Sequence, residues 1–363
     1  MSFKKIINNR FFSFIKHHFM SVAFLLGFIT DFLLLNRIDD TFDNIVLFFY
    51  FTLASVSMLL FYLGIAEKAP QRISEFLKSF SPMAMQYSFG GLLSGMLIFY
   101  GRSGDLLVSA PFLTLILAIM IANELVKKRS DRLLYNLVVY FIAVFSYSVL
   151  LVPVLIGEMG GVIFVGSGLI SLLVMFFIIK ILSKIIPNYI QLEIRSIVFS
   201  IASLYVLFNT FYFLNIIPPI PLSLTELSIY QQVERTSTGG YRIVKDNRVW
   251  FSMSELFTET FRPISGEGAY CFARVYAPTS LTTTIVHRWE YYDENNGWVT
   301  QFTVPYSISG ENKNGYRGYT KSTNIRDGKW RCGVETERGQ VLGRQTFKVD
   351  TKSKPKNLVT VIE

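Results

Sequence analysis

The sequence predicts a chain in two parts, a membrane domain of seven transmembrane helices followed by an all-β sandwich domain, and three observations predict it. Of 363 residues, 51% are hydrophobic and only 17% charged, where a soluble domain carries about a quarter charged residues. The deficit comes from long charge-free runs, the pattern of lipid-facing helices. Those runs all precede residue 221, whereas all four tryptophans (Trp250, Trp289, Trp298, Trp330) and both cysteines (Cys271, Cys332) follow it. Beyond that point apolar and polar residues alternate with the period of two that strands require. This composition excludes a disordered or collagen-like chain. The net charge of +9 divides into +5 up to residue 221 and +4 after it, too dilute in either part to suggest nucleic acid.

Residues 1–18 open the chain. Phe3, Ile7, Phe11 and Phe14 share a helical face, but Lys4, Lys5, Arg10 and Lys16 interrupt it, so the segment reads as an interfacial helix lying on the membrane or as a cytoplasmic basic tail. A hydrocarbon core needs about 20 apolar helical residues, and seven runs qualify within 19–217: 19–35, 45–65, 83–100, 106–125, 133–156, 162–182 and 197–217. After Leu35 comes Asn36-Arg37-Ile38-Asp39 with no small-x-small cleavage site, so the first run reads as an anchor rather than a signal peptide.

Positively charged loops are retained in the cytoplasm. Fourteen Lys and Arg fall on one side: four in the N-terminal tail, then Lys68, Arg72 and Lys78, then Lys127, Lys128, Arg129 and Arg132, then Lys180, Lys184 and Arg195. The alternate loops hold only Arg37 and Arg102, together with Asp39, Asp40, Asp43, Asp105 and Glu158. An odd number of spans from a cytoplasmic N-terminus places the C-terminal domain outside, which makes this a multi-pass protein of a bacterial cytoplasmic (inner) membrane with its partner, at minimum, the lipid bilayer.

Polar groups inside the spans are candidates for function. Gln86, Asn123, Glu124, Asn136 and Lys180 lie near cytoplasmic ends, where long side chains reach water. Asp31 is about 7.5 Å of helix rise from Asn36 and is the better candidate for a buried contact. Asn209 lies near mid-span, where an interhelical hydrogen bond suffices to explain it. Gly91 and Gly95 form a small-xxx-small motif that lets helices approach closely. The serine between them, Ser94, lacks a histidine base, because His17, His18 and His287 all lie outside the spans, which removes an intramembrane serine protease. Neither a metalloprotease helix motif nor a phosphate loop is present in the sequence, and Pro111 and Pro153 alone do not make a transporter.

The last span ends at Asn215-Ile-Ile-Pro-Pro-Ile-Pro221, since proline cannot continue a helix; residues 218–226 read as a stiff Pro-rich exit linker. The sandwich domain is expected over 227–363. Its strands are Leu227 to Glu234 and Tyr241 to Lys245 as a hairpin across Thr238-Gly239-Gly240, a short helix from Trp250 to Phe261, then strands near 269–276, 283–292, 298–304, 316–322, 329–336 and 340–349, parted by turn signals such as Asp293-Glu-Asn-Asn-Gly297 and Asp327-Gly328.

Parity refines the sandwich. Cys271, Ala273 and Val275 share one face of their strand, Trp330, Cys332 and Val334 one face of theirs, and Ile285, His287 and Trp289 one of a third. An inward cysteine on each of two strands with an inward tryptophan between them is the immunoglobulin-like arrangement, although Trp330 stands where its tyrosine would be. As the only cysteines, both on the oxidising side, Cys271 and Cys332 are a candidate disulfide whose loop closure is worth roughly 4 kcal/mol; two buried free thiols are the other reading.

The runs Thr282-Thr-Thr-Ile-Val-His287-Arg288-Trp289, Gly315-Tyr-Arg-Gly-Tyr-Thr-Lys-Ser322, Gly328-Lys-Trp330-Arg331 and Gly339-Gln-Val-Leu-Gly343-Arg344-Gln-Thr-Phe347-Lys-Val349 resemble a bacterial domain of unknown function, family 2914. The resemblance covers about the last 80 to 100 residues, and the membrane part only in layout. It implies a domain that follows a multi-pass membrane segment and a Pro-Pro-x-Pro exit, with no assigned activity; Cys332 departs from the apolar residue usual there.

Arg288, Trp298, Tyr316, Arg317 and Tyr319, with Tyr270, Phe272 and Arg274, suggest an aromatic and basic surface able to stack on sugars or grip an acidic polymer. The competing reading gives these residues to the core, strand pairing or the membrane face. His287 and Arg288 have no nucleophile or second metal-type ligand near them in sequence, so no catalytic residues, metal or cofactor are expected. The expected function is a non-enzymatic membrane protein whose exported sandwich binds a partner, glycan or envelope polymer. The alternative is a small-molecule transporter or lipid-modifying enzyme with the β-domain as accessory, which requires Asp31 and Asn209 to converge on one polar cavity.

Overall fold

A computed structural model describes residues 28–35, 40–125, 133–237, 239–246, 259–264, 266–278, 281–310, 315–355 and 357–362. The expected segment 1–18, the 19–27 part of the first run, the basic cluster at 127–132 and residues 250–258 of the expected short helix lie outside them. The chain divides into two units, Met1–Tyr100 with Ala110–Leu214, and Gly101–Ser109 with Asn215–Glu363.

The first unit is helical. Helix α1 spans 28–34; then come α2 (Thr41–Ile65), α3 (Gln71–Arg102), α4 (Leu106–Leu125), α5 (Leu133–Ile156), α6 (Gly161–Ile185) and α7 (Pro187–Phe213). Local chemistry sets their ends. Asp40 caps α2 by accepting from the Phe42 N–H at 3.2 Å, Asp105 caps α4 through Leu107 and Val108, and Pro187 opens α7 where its missing N–H costs nothing. Four helices, α2, α5, α6 and α7, are long and apolar enough to cross a membrane, and residues Leu106–Ala122 of α4 form a shorter apolar helix.

Helix α5 is the hub. Its apolar window is 72% buried, against 22% in α7, so α5 is hydrophobic all round because protein surrounds it. Phe145 packs on Phe164, Tyr205 and Phe208, and the Tyr140 hydroxyl lies 2.7 Å from Ser55 Oγ. Asn136, expected to reach water at a cytoplasmic end, is instead buried and donates to the Tyr62 hydroxyl at 3.0 Å.

The second unit is strand-rich. Its strands are β1 (Ser223–Tyr230), β2 (Gln232–Arg235), β3 (Tyr241–Asp246), β4 (Glu259–Phe261), β5 (Ala269–Tyr276), β6 (Thr282–Asp293), β7 (Gly297–Ser309), β8 (Tyr316–Ser322), β9 (Gly328–Thr336), β10 (Val341–Val349) and β11 (Leu358–Ile362). They form three sheets, ordered β1-β5-β8, β4-β10-β9-β6-β7 and β11-β3-β2. All pairings are antiparallel except β4 with β10.

Four expectations need correction, the first being the strand near 298–304, which runs on to Ser309 as β7. The Pro-rich exit is shorter than 218–226, because β1 begins at Ser223, with Leu224 packed against Gly343. The single strand Leu227 to Glu234 is two: β1 pairs with β5, and after buried Gln231 the chain changes sheets so that β2 pairs with β3. The end of the expected helix, Glu259–Phe261, is a strand held by β10, and β11, which was not foreseen, pairs with β3.

Cys271 on β5 and Cys332 on β9 are joined by a disulfide with Cα atoms 6.5 Å apart. Because β5 and β9 belong to different sheets, the bond crosses the core between them. Ile229, Phe261, Trp289, Trp330, Phe347 and Val349 belong to the same buried cluster. On the other side of β5, Phe272 and Tyr270 pack with Tyr230, Val233, Tyr241 and Ile243, so the third sheet covers what would otherwise be an outer face. The exit segment is tied to this unit through Gln340 Nε2 to the Ile217 carbonyl at 3.2 Å and Asn215 Nδ2 to the Arg338 carbonyl at 3.1 Å. The 101–109 segment is held likewise: the Asp105 N–H donates to the Val341 carbonyl at 3.2 Å, and Ser223 Oγ to the Arg102 carbonyl at 3.0 Å.

The cystine closes a loop of 61 residues, for which restriction of the unfolded chain is worth about 4 kcal/mol. Replacing both cysteines by alanine in the full-length protein should lower the stability of this unit by about that amount. Tryptophan fluorescence during denaturant unfolding reads it selectively, since all tryptophans lie beyond residue 221; a change below about 1 kcal/mol would contradict the assigned role of the bond.

Candidate functional site

Period two decides which side chains the five-stranded sheet offers to solvent. With His287 and Trp289 of β6 and Cys332 of β9 in the core, the opposite face receives Arg288, Glu290 and Tyr292 from β6, Lys329, Arg331 and Glu335 from β9, Arg344 and Lys348 from β10, and Trp298 from β7, paired with Tyr292. Glu290 and Glu335 are buried and the cations lie over them. Arg288 Nε donates to Glu335 Oε2 at 2.9 Å, with Arg344 Nη2 3.9 Å from Oε1 of the same residue. Arg331 holds Glu290 through both Nε and Nη2, the latter at 3.0 Å from Oε1. Its guanidinium stands 4.3 Å from the Trp298 ring centre, and Lys329 Nζ lies 5.7 Å from both the Trp298 and Tyr292 rings. The two rings meet edge to face at 5.3 Å. Cations over aromatic faces are attracted by the ring quadrupole, so this face is an ordered layer, acids at its floor and positive charge at its surface.

The five residues expected to form one binding surface do not. Arg288 and Trp298 belong to this face. Arg317 and Tyr319 lie on β8, in another sheet, where Arg317 covers Tyr241 at 5.1 Å and Tyr319 packs on Tyr241 and Tyr270. Tyr316 takes the opposite parity and stacks on Tyr306, since neighbours on a strand cannot share a face. Tyr270 and Phe272 are core residues. Arg331, Lys329, Arg344, Lys348, Glu290, Glu335 and Tyr292 escaped sequence reasoning. Parity applied to the solvent side of β6, β9 and β10 would have found them.

Beneath this face lies a buried polar chain. Trp289 Nε1 donates to Thr320 Oγ1 at 2.9 Å, His287 Nδ1 is 3.0 Å from the same oxygen, and His287 Nε2 is 2.9 Å from the Tyr306 hydroxyl. Indole N–H only donates, so Thr320 can accept from Trp289 while donating to Nδ1, leaving the Nε2–H for Tyr306. A neutral imidazole satisfies every partner. The ligand atoms of Cys271, His287 and Cys332 lie within 4.8 Å of one another, a proximity that linear spacing concealed. With the sulfurs bonded to each other and both ring nitrogens engaged, the trio offers no free ligand while oxidised.

Burial pushes the His287 imidazole down from 6.5 to about 4. The unfolded chain therefore takes a proton near pH 6.5 that the folded one refuses until about pH 4. Stability from this group is fully present above pH 6.5 and is lost as pH falls toward 4, by about 3 kcal/mol in all. Tryptophan-monitored unfolding midpoints between pH 7 and 4 should show that decline in the native protein and little of it in His287→Gln. An equal decline in the variant would remove His287 as the cause. Asp293, Asp327 and Asp350 have lowered pKa values and act below this window.

In the helical unit, Asp31 is buried where α1, α2 and α3 meet. It accepts from the Tyr50 hydroxyl at 3.0 Å and from Ser94 Oγ. The Gly91-Gly95 motif makes room for this contact: a Cβ on Gly91 would lie 2.6 Å from the Tyr50 ring. Asn209 does not share the site. Its amide donates to the Tyr205 carbonyl of its own helix at 2.8 Å, in place of the expected interhelical bond. Asp31→Ala removes two hydrogen bonds, leaving Ser94 its Gly91 carbonyl, and should destabilise the solubilised protein by about 1 kcal/mol per bond lost, read from the thermal loss of helical circular dichroism. Asp31→Asn, which keeps an acceptor, should lose less; equal losses would show that charge, not hydrogen bonding, matters there.

Residues 282–349, from β6 through β10, match the family described as Protein of unknown function (DUF2914). No curated protein and no solved structure matches the chain.

Proposed function

We propose that this chain is a multi-pass protein of a bacterial cytoplasmic membrane whose seven helices anchor an extracytoplasmic, immunoglobulin-like sandwich, and that the sandwich binds a glycan, envelope polymer or protein partner rather than catalysing a reaction. The observation that carries the binding role is the layered face of the five-stranded sheet, where arginines ride on buried glutamates and cations on Trp298 and Tyr292. Arg and aromatic side chains held in place are the usual anchors of binding surfaces. His287, the histidine of this domain, is committed to internal hydrogen bonds, which favours binding over acid–base chemistry.

The topology has its own support. The connection from Arg102 to Asp105 is hydrogen-bonded to the strands, and four helices, α4 to α7, separate it from β1. An even number of crossings returns a chain to the same side, in agreement with the Lys and Arg distribution. A disulfide is also at home in an oxidising compartment. For the immunoglobulin-like reading, the cystine joins the middle strand of the β1-β5-β8 sheet to β9, with Trp289 on adjoining β6 and β10 on the other flank; this parallels the inter-sheet cystine and neighbouring tryptophan of that fold. The transporter alternative is weakened because Asp31 and Asn209 have separate partners.

Reporter fusions test the orientation. Alkaline phosphatase fused after Glu363 should be active and the same reporter inserted within residues 127–132 inactive. Activity in the reverse pattern would overturn the exported-domain reading.

A further inference from the structure

We infer that the solvent face of the five-stranded sheet is a binding surface for an acidic polysaccharide, a sugar chain carrying carboxylate or phosphodiester groups, with Lys329 and Lys348 as its principal contacts. The inference rests on the exported-binding-domain reading and narrows it to one surface and one ligand class.

Lys329 of β9 and Lys348 of β10 are directly paired across the ladder, and both are exposed. Like charges directly opposite one another on neighbouring strands destabilise a sheet. Among the described residues no carboxylate forms an ion pair with either; Lys329 Nζ instead leans toward the Tyr292 and Trp298 rings, and Lys348 stands exposed beside it on β10. An anionic polymer lying across these strands would offset the like charges. Around the pair, the face carries Arg288, Arg331 and Arg344 as well, against two acids, Glu290 and Glu335, which are buried beneath arginines and present little negative charge outward.

The aromatic rings narrow the ligand class. Lys329 is equidistant from the Trp298 and Tyr292 rings, so the cation adjoins the aromatic edge that the described residues give this face. A polysaccharide supplies both complements, anionic groups for the lysines and C–H faces of sugar rings for the aromatics. A bilayer fits less well, since Trp298 is half-buried beneath Arg331 and the face is otherwise charged, so the exposed Tyr292 ring is what a sugar face can reach and little apolar surface is left to insert.

The full-length protein in detergent micelles tests this with immobilised polygalacturonate and yeast phosphomannan, neutral dextran as the uncharged control, and phosphatidylglycerol vesicles as the lipid control. At least one acidic polysaccharide should bind, more weakly as salt rises, with dextran and vesicles at background. The double substitution Lys329→Gln with Lys348→Gln should weaken that binding at least tenfold while its tryptophan-monitored unfolding midpoint stays the same or rises, because the opposed charges are gone. The folded midpoint separates a lost contact from a lost fold. Failure of both acidic probes to bind, binding that survives the double substitution, or vesicle binding that alone responds to it would each overturn the inference. Dextran binding indifferent to the lysines would do so too, yet it would leave the broader binding role standing, while the reporter fusions test the orientation of the domain independently.

Discussion

The bond between Cys271 and Cys332 settles which face of each of two sheets looks into the space between them, β5 being packed on its other face as well. Once those sulfurs meet, Trp330 and Val334 must join Cys332 inside, and Lys329, Arg331 and Glu335 must face out. Pairing carries the same phase to β6, where Trp289 lies opposite Cys332, and through β6 to Trp298 on β7. A slip of one residue would exchange the buried tryptophans for arginines. The covalent bond and the ladder registers thus specify the chemistry of a surface they never touch.

The polar groups beneath the cystine have the same consequence for rigidity. Thr320 on β8 bonds Trp289 and His287 on β6, and Tyr306 on β7 bonds the far side of the imidazole. This chain crosses from one sheet to the other beside the disulfide. A buried network in which each member is satisfied favours one packing over its competitors. Above it, the outer face contains a directly opposed pair of lysines, a local arrangement that works against the fold. Conflicts of this kind inside an otherwise consistent structure are where function is expected.

Much of the strand-rich unit was legible because its strands are long, alternate cleanly and end at turn residues: β5 and β8 were read to the residue, and β6, β9 and β10 to within one. The misses have physical causes. β4 is three residues long and exists because β10 pairs with it in parallel, and β11 exists because β3 does; neither carries enough pattern alone. The change of sheet at Gln231 is a tertiary event that leaves the alternation around it unbroken. In the helical unit, apolar runs located the helices, but composition does not say which polar residue meets which. Asp31 found hydroxyls on two other helices, whereas Asn209 turned back on its own backbone. For the binding face, residue type was legible and grouping was not: Tyr316 and Arg317 are adjacent in sequence and therefore on opposite faces, while Arg288 and Trp298, ten residues apart, share one.

The covalent link on which this arrangement depends is open to direct observation. The protein would be isolated from its native membrane with free thiols alkylated before any reduction, digested, and analysed by mass spectrometry. A single cross-linked species joining the Cys271 and Cys332 peptides, with no alkylated form of either, is the predicted result. Alkylation of both cysteines without prior reduction would contradict the account at its root, removing the bond between the sheets and with it the argument that this domain resides on the oxidising side.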